Sequence, residues 1–194
     1  MQKIPRLFKL NYDGQRLAYD EVAPGAEWVL AGEGVATRKF VGTCCLIAGR
    51  NLFKRYSCRD GKKLPKDFQL AERAEQKDNR GHDVVKLYGW VPIGDGPQDR
   101  YHREALAHAV EVGGRIPADG PYELIGPNVQ GNPEHCDRHV LVKHGVEYLP
   151  GAPRTFDDLR RWFEGQDIEG IVWHHPDGRM IKIKKKDFGL SRRI

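Results

Sequence analysis

The chain has 194 residues, 39% hydrophobic and 30% charged, with a formal net charge of +5 and a pI near 9.0. That length suits one generous domain rather than two full ones, and the composition is that of a globular chain with a moderate core. No apolar run approaches ~18 residues, so a helical membrane span is excluded, and the N-terminal stretch MQKIPRLFKLNYDG lacks the continuous apolar segment of a secretory signal.

In chain order, the first thirty residues read as extended with short strands, including EWVLA at Glu27–Ala31. GVATRKF and TCCLIAGRNLFKRYSC follow as two or three strands with a turn at Gly49–Asn51. Leu64 to Asp78 is polar and reads as a loop with a short helix. Asp83–Ile93 is a strand, and Gln98–Val112 is the best helix in the chain, stopped by Gly113-Gly114. Tyr122–Ile125 and His139–Val142 are short strands. Thr155–Glu164 is a helix with Thr155 as N-cap and an Asp three residues on. IEGIVWHH and RMIKIKKK form a hairpin turning at Pro176-Asp177-Gly178. Mostly antiparallel strands with a few outer helices make an α+β domain, expected as a single unit over residues 1–194.

Four cysteines, Cys44, Cys45, Cys58 and Cys136, form no C-x-x-C pair. Reduced, partly core-filling thiols are expected, and the location that goes with them is the cytoplasm, or a host's cytoplasm for a viral chain. A zinc site from Cys44, Cys58, Cys136 and a histidine is the lesser alternative, because structural sites favour short spacings. His135, Cys136 and His139 are locally dense but lack a partner pair. His174-His175 reads as surface, and Trp90, Trp162 and Trp173 as packing residues. The basic balance suits an anionic partner such as nucleotide or nucleic acid. The basic C-terminal run RMIKIKKKDFGLSRRI would be a solvated tail on composition alone. Its alternation of Lys182 and Lys184 with Ile181 and Ile183 is instead the period of a half-buried strand with two ammonium groups on one face.

Five short pieces carry the chemistry: KFVG at Lys39–Gly42, FKR at Phe53–Arg55, YELIG at Tyr122–Gly126, EGIV at Glu169–Val172 and IKIK at Ile181–Lys184. Taken singly, each is weak. Lys39 reads as a lysine snorkelling at a strand end, Glu123 and Glu169 as exposed strand residues, and Arg55 as half of a surface pair with Lys54. Together, in this order and each on a strand or strand end, they point to one site.

The series resembles the motifs of the covalent nucleotidyltransferases, the superfamily of RNA ligases, DNA ligases and mRNA capping enzymes, from roughly Val35 to Phe188. KFVGTCC, YELIGPNVQGNPE and EGIVWHHPDGRMIKIKKKDFG are most similar to the small ATP-dependent RNA ligases of the vertebrate RNA ligase type. The resemblance implies a nucleotidyltransferase (ATP-grasp-like) domain of antiparallel sheets flanked by helices. No C-terminal OB-fold is expected, since the chain ends shortly after the last lysine motif. It implies ATP and Mg²⁺ (or Mn²⁺) as cofactors, RNA with 5′-phosphate and 3′-hydroxyl ends as partner, no membrane association and a monomer.

The same resemblance implies the roles. Lys39 would attack the α-phosphorus of ATP, which requires a neutral amine. Lowering a lysine from ~10.4 to about 7.5 costs on the order of 4 kcal/mol, and Lys182, Lys184 and the metal would supply the positive surroundings. Gly42 would let the backbone turn beneath the nucleotide. Glu123 would accept from the ribose hydroxyls, and Arg55 would touch ribose or phosphate. Glu169 would bind the metal or help deprotonate Lys39, and Lys182 and Lys184 would grip the α-phosphate. Val172, with Val140 or Val142, would sandwich the adenine. The lysine motif usually has Asp where Val41 stands, which alters the expected metal dependence. A guanylyltransferase, a DNA ligase fragment, AMP transfer to a non-RNA acceptor and a non-catalytic RNA-binding relic are the alternatives.

Overall fold

The computed structural model describes residues 4–78 and 82–192. In chain order the elements are β1 (Phe8–Leu10), β2 (Ala18–Val22), α1 (Glu27–Leu30), β3 (Val35–Lys39), β4 (Thr43–Ala48), β5 (Asn51–Arg59), β6 (Gln69–Lys77) and β7 (Asp83–Pro92). They continue with α2 (Arg100–Gly113), β8 (Gly120–Ile125), β9 (Val140–Lys143), α3 (Phe156–Glu164), β10 (Gly170–His174) and β11 (Met180–Lys184). The sheets are antiparallel and the helices few, an α+β arrangement. The chain forms two compact units, residues 41–144 and the segments that flank them.

In the central unit six strands lie in the order β6-β7-β5-β4-β8-β9. Successive side chains point to opposite faces of a strand. One face of this sheet therefore sends Cys45, Ile47, Tyr122, Leu124 and Leu141 into a core with Ala105 of α2. α2 stops as expected, at a left-handed Gly114.

In the flanking unit three strands lie in the order β11-β10-β3. Ile171, Trp173, Ile181, Ile183 and Ala36 face a core completed by Leu159 and Phe163 of α3, Trp28 and Val29 of α1, and Leu7 and Phe8. The pairings Lys39–Gly170–Lys184 and Thr37–Val172–Lys182 run straight across the sheet, so those residues share the opposite face. The outer edge of β11 is paired as well: Lys182 N–H donates to the Pro5 carbonyl at 2.9 Å and Leu7 N–H to the Lys182 carbonyl at 2.8 Å.

Two expectations are corrected. EWVLA is not a strand but the short helix α1. Trp28 and its neighbour Val29 are both buried, whereas alternation along a strand would bury only one of them. Residues 69–77 form the strand β6 rather than loop and helix. β6 is an edge strand held by its backbone ladder to β7, so its polar composition hid it. The basic run forms the half-buried strand that its alternation implies, and beyond it Lys185 and Asp187 are buried. Lys185 Nζ donates to the Gln166 carbonyl at 2.6 Å.

Gly170 is the tightest point of the small sheet. A Cβ there would lie 2.1 Å from the Ile183 carbonyl oxygen and 2.9 Å from Lys184 Cα. Gly170→Ala is expected to push β11 away from β10 at an overpacking cost of about 1–3 kcal/mol. A thermal melt should fall by roughly 2–4 °C for each kcal/mol in a chain of this size.

Candidate active site

β3 ends at Lys39, β10 begins at Gly170, and β11 ends at Lys184; Gly170 lies directly between the two lysines. Glu169, one residue before β10, reaches both. Lys39 Nζ donates to Glu169 Oε2 at 2.5 Å and Lys184 Nζ to Oε1 at 2.5 Å. One carboxylate therefore bridges two ammonium groups. Lys39 Nζ also donates to the Phe40 carbonyl at 3.2 Å.

All three side chains are mostly covered, at 20%, 15% and 18% exposure for Lys39, Glu169 and Lys184. Burial penalises the charge on Glu169, but Lys39 and Lys184 outweigh it and hold the carboxyl below its usual range. At Lys182, one row along, the Glu169 carboxylate offsets only part of the cost. Burial first, then the ammonium groups of Lys184 and Lys39 and the guanidinium of Arg6, push its amine down to about 8. The strand end Lys184 is pinned by Asp187, whose Oδ2 accepts its backbone N–H at 3.0 Å. Thr37 Oγ1 donates to the Val172 carbonyl at 3.1 Å, and Val172 itself is buried on the lysine face.

Gly42, Arg55 and Glu123 lie on the central unit. Gly42 presses on β8, where a Cβ would come within 2.2 Å of the Leu124 carbonyl oxygen and 2.8 Å of Glu123 Cγ. Glu123 pairs across the sheet with Cys44 on one side and Val142 on the other, and its Oε2 lies 3.0 Å from His144 Nε2. The guanidinium of Arg55 is stacked on Tyr88, 5.2 Å from the ring centre, and also bonds toward Cys44. At Val41, where Asp is usual, Glu134 Oε1 accepts the backbone N–H at 2.9 Å.

Sequence reasoning passed over Glu134, His144 and Gly170 as contributors, and offered Cys44 only as a zinc ligand beside Cys58 and Cys136. For His144 a signal existed: it stands two residues beyond Val142 in RHVLVKHG, hence on the same strand face. His175 is not a plain surface residue, since Nε2 lies 2.8 Å from Glu33 Oε2 and the ring packs edge-on against Trp28. His139 has a partner, Glu104 Oε2 at 2.8 Å. The cysteines are free thiols, and Cys58 and Cys136 do not join Cys44 in a ligand cluster among the described residues. Trp90 and Trp173 are buried as expected, and Trp162 packs at the core's edge.

The sequence is similar to a family and to several curated proteins. Residues 118–194 match the family model described as RNA ligase 1. RNA ligase 1 of Rattus norvegicus is 42% identical over 223 residues, covering 80% of this chain and 67% of that protein. The chain belongs to the RNA ligase 1 family. RNA ligase 1 of Danio rerio is 28% identical over 247 residues, 91% of this chain and 74% of the relative. RNA ligase 1 of Pongo abelii is 29% identical over 166 residues, 68% of this chain and half of the relative. The family-model match takes in Glu123, Glu169, Lys182 and Lys184, while Lys39, Gly42 and Arg55 precede it. Among the described residues of this RNA ligase 1 family chain, no helix is long and apolar enough to cross a membrane.

Proposed function

We propose that the protein is an ATP-dependent RNA ligase that joins 5′-phosphate and 3′-hydroxyl ends through a lysyl-AMP intermediate, on a nucleotidyltransferase fold acting as one adenylyltransferase. The observation that carries this reading is the Glu169 carboxylate bridging Lys39 and Lys184 in a chain of the RNA ligase 1 family. Lys39 must lose a proton before it can attack, and the proton acceptor lies on its own hydrogen bond. Glu169 takes that proton, and the freed amine forms a P–N bond to the α-phosphorus of ATP as the P–O bond to pyrophosphate breaks.

Lys184, relieved of its partner, and Lys182 then face the charge that develops on the α-phosphate. The three cationic side chains fit a polyphosphate. Glu169 is a hard oxygen ligand suited to Mg²⁺ or Mn²⁺, which retains waters and takes its other ligands from phosphates. Such an ion would supply Lewis-acid polarisation of the phosphate. On the central unit Glu123 accepts from ribose hydroxyls, with Arg55 toward ribose or phosphate, Gly42 keeping the backbone close and Val142 or Val140 against the base. Val172 offers an apolar surface beside Lys182. In the later steps an RNA 5′-phosphate oxygen displaces the Lys39 amine from the adenylate, and a 3′-hydroxyl displaces AMP to leave a phosphodiester.

The test is incubation with labelled nucleotide and Mg²⁺, followed by denaturation and then by addition of 5′-phosphorylated RNA. A label from ATP that survives denaturation and RNA that becomes sealed are the expected results. Label from GTP alone would make it a guanylyltransferase, and sealing of DNA alone a DNA ligase. An adduct without sealing would mean AMP transfer to another acceptor, and RNA binding without any adduct a non-catalytic relic.

Lys182 gives a pH signature. An unfolded lysine titrates near ~10.4, so between about 8 and that value the unfolded chain holds the extra proton. The penalty on the fold is complete below about pH 8 and fades as pH rises. A phosphate beside Lys182 restores its proton. Near pH 8.5, binding of ATP is therefore expected to take up part of a proton, seen calorimetrically as an enthalpy that varies with the buffer's ionisation enthalpy. Lys182→Arg, always charged, should remove that dependence, and a buffer-independent enthalpy in the unsubstituted protein would contradict the assignment.

A further inference from the structure

We propose that Cys44, Glu123 and His144 form a binding site for a borderline-soft divalent cation, Zn²⁺ being the natural fit, and that its occupancy withdraws Glu123 from the nucleotide. One thiol sulfur, one imidazole nitrogen and one carboxylate oxygen from these residues all lie within 4.8 Å of one another. The sheet builds the cluster. Cys44 on β4 sits directly opposite Glu123 on β8. Glu123 sits opposite Val142 on β9, and His144 follows two residues later. The His144 N–H donates to the Pro121 carbonyl at 3.0 Å, which continues the ladder and keeps the imidazole on the same face.

The donor set selects the ion. Thiolate and imidazole suit zinc, whereas Mg²⁺ takes oxygen ligands. Metal–ligand bonds of about 2.0–2.3 Å around a tetrahedral ion place donors between 3 and 4 Å apart. Glu123 Oε2 and His144 Nε2 are already 3.0 Å apart, so small side-chain rotations close the site. Three protein ligands leave the fourth position to water, and 19% and 12% side-chain exposure at His144 and Glu123 gives an entry path.

Without a metal, burial and the nearby Glu123 carboxylate push the Cys44 thiol up to about 11, with Arg55 only partly offsetting them. The thiol is thus neutral until a cation replaces its proton, which leaves on binding. Arg55, which bonds toward the thiol, is a cation that opposes the ion. The withdrawal of Glu123 rests on the ribose role proposed above, whereas the metal site stands independently of it.

Co²⁺, a spectroscopic substitute for Zn²⁺, should bind the full chain at one equivalent with a thiolate charge-transfer band, and Zn²⁺ should displace it. Cys44→Ser should lose the band, and His144→Asn should weaken binding. Absence of saturable one-equivalent binding in the unsubstituted protein, or binding unchanged in both variants, overturns the site. With buffered free Zn²⁺ at about ten times its Kd and subsaturating ATP, apparent ATP affinity should fall about tenfold, the competitive factor 1 + [L]/Kd. Co²⁺ binding with ATP affinity untouched by Zn²⁺ would keep the site and overturn its competition for Glu123. Failure of the ligase reading would appear separately, as a missing adduct in metal-free protein supplied with Mg²⁺.

Discussion

Lys39→Ala is expected to abolish the denaturation-resistant AMP adduct and all RNA sealing, while Lys184→Ala keeps the adduct at a rate reduced about 10²–10³-fold. The contrast matters because both lysines make the same bond to the same carboxylate, each at 2.5 Å. Charge alone would let either serve as the nucleophile. Lys39 is the stronger candidate because it ends β3 within the motif KFVG, while Lys184 is pinned at its backbone by Asp187. Removing Lys39 leaves Glu169 paired with Lys184, so the variant should fold, with a stability loss of about 1–3 kcal/mol. An adduct that persists in Lys39→Ala and is found by peptide mapping on Lys184 would exchange the two roles. An adduct on neither lysine would overturn both.

Glu169→Gln is the second large effect. Glutamine keeps the shape, but its amide NH2 cannot accept from an ammonium group, so it holds at most one of the two lysines. It cannot take the proton of Lys39, and adduct formation should slow about 10²–10⁴-fold. Because the block is a proton, raising the pH should recover part of the rate, as solvent hydroxide can then take that proton. Recovery by raising Mg²⁺ at constant pH would instead assign Glu169 to the metal. The variant also changes the acid side of stability. The folded Glu169 carboxyl titrates below its ordinary range. Its ion-pair stabilisation is therefore present above the unfolded value of ~4.3 and disappears as pH falls through the lower folded value. Glu169→Gln should flatten that part of an acid-unfolding profile, and an unchanged profile would contradict the bridging geometry.

Much of the strand content was legible because its signals are local. TCCLI, DVVKLYGWV and the closing hairpin are short runs rich in apolar residues and bounded by turn residues, and IKIK adds a strict alternation. β6 was not, because an edge strand wet on both faces has no apolar alternation to read. α1 was not, because four residues give no helical period. The site was legible as a set of residue types, but its bonding was not. The resemblance let Glu169 bind a metal or help deprotonate Lys39 and set Lys184 on the phosphate, but it gave no hint that one carboxylate would hold both lysines together. Nor could Cys44 and His144 be attached to Glu123 without the register of three strands.

The amino-acid order alone determined that Lys182 and Lys184 share a face opposite Ile181 and Ile183, since side chains on a strand alternate with a period of two. It also determined that the chemistry-bearing residues stand on strands or at strand ends. Only the tertiary structure decided that Lys39 meets Glu169 across 130 positions of sequence. Neighbour and register in a sheet are set by burying Ile171, Trp173 and Ile183 together and by the missing Cβ of Gly170. That is a property of packed faces rather than of any one segment.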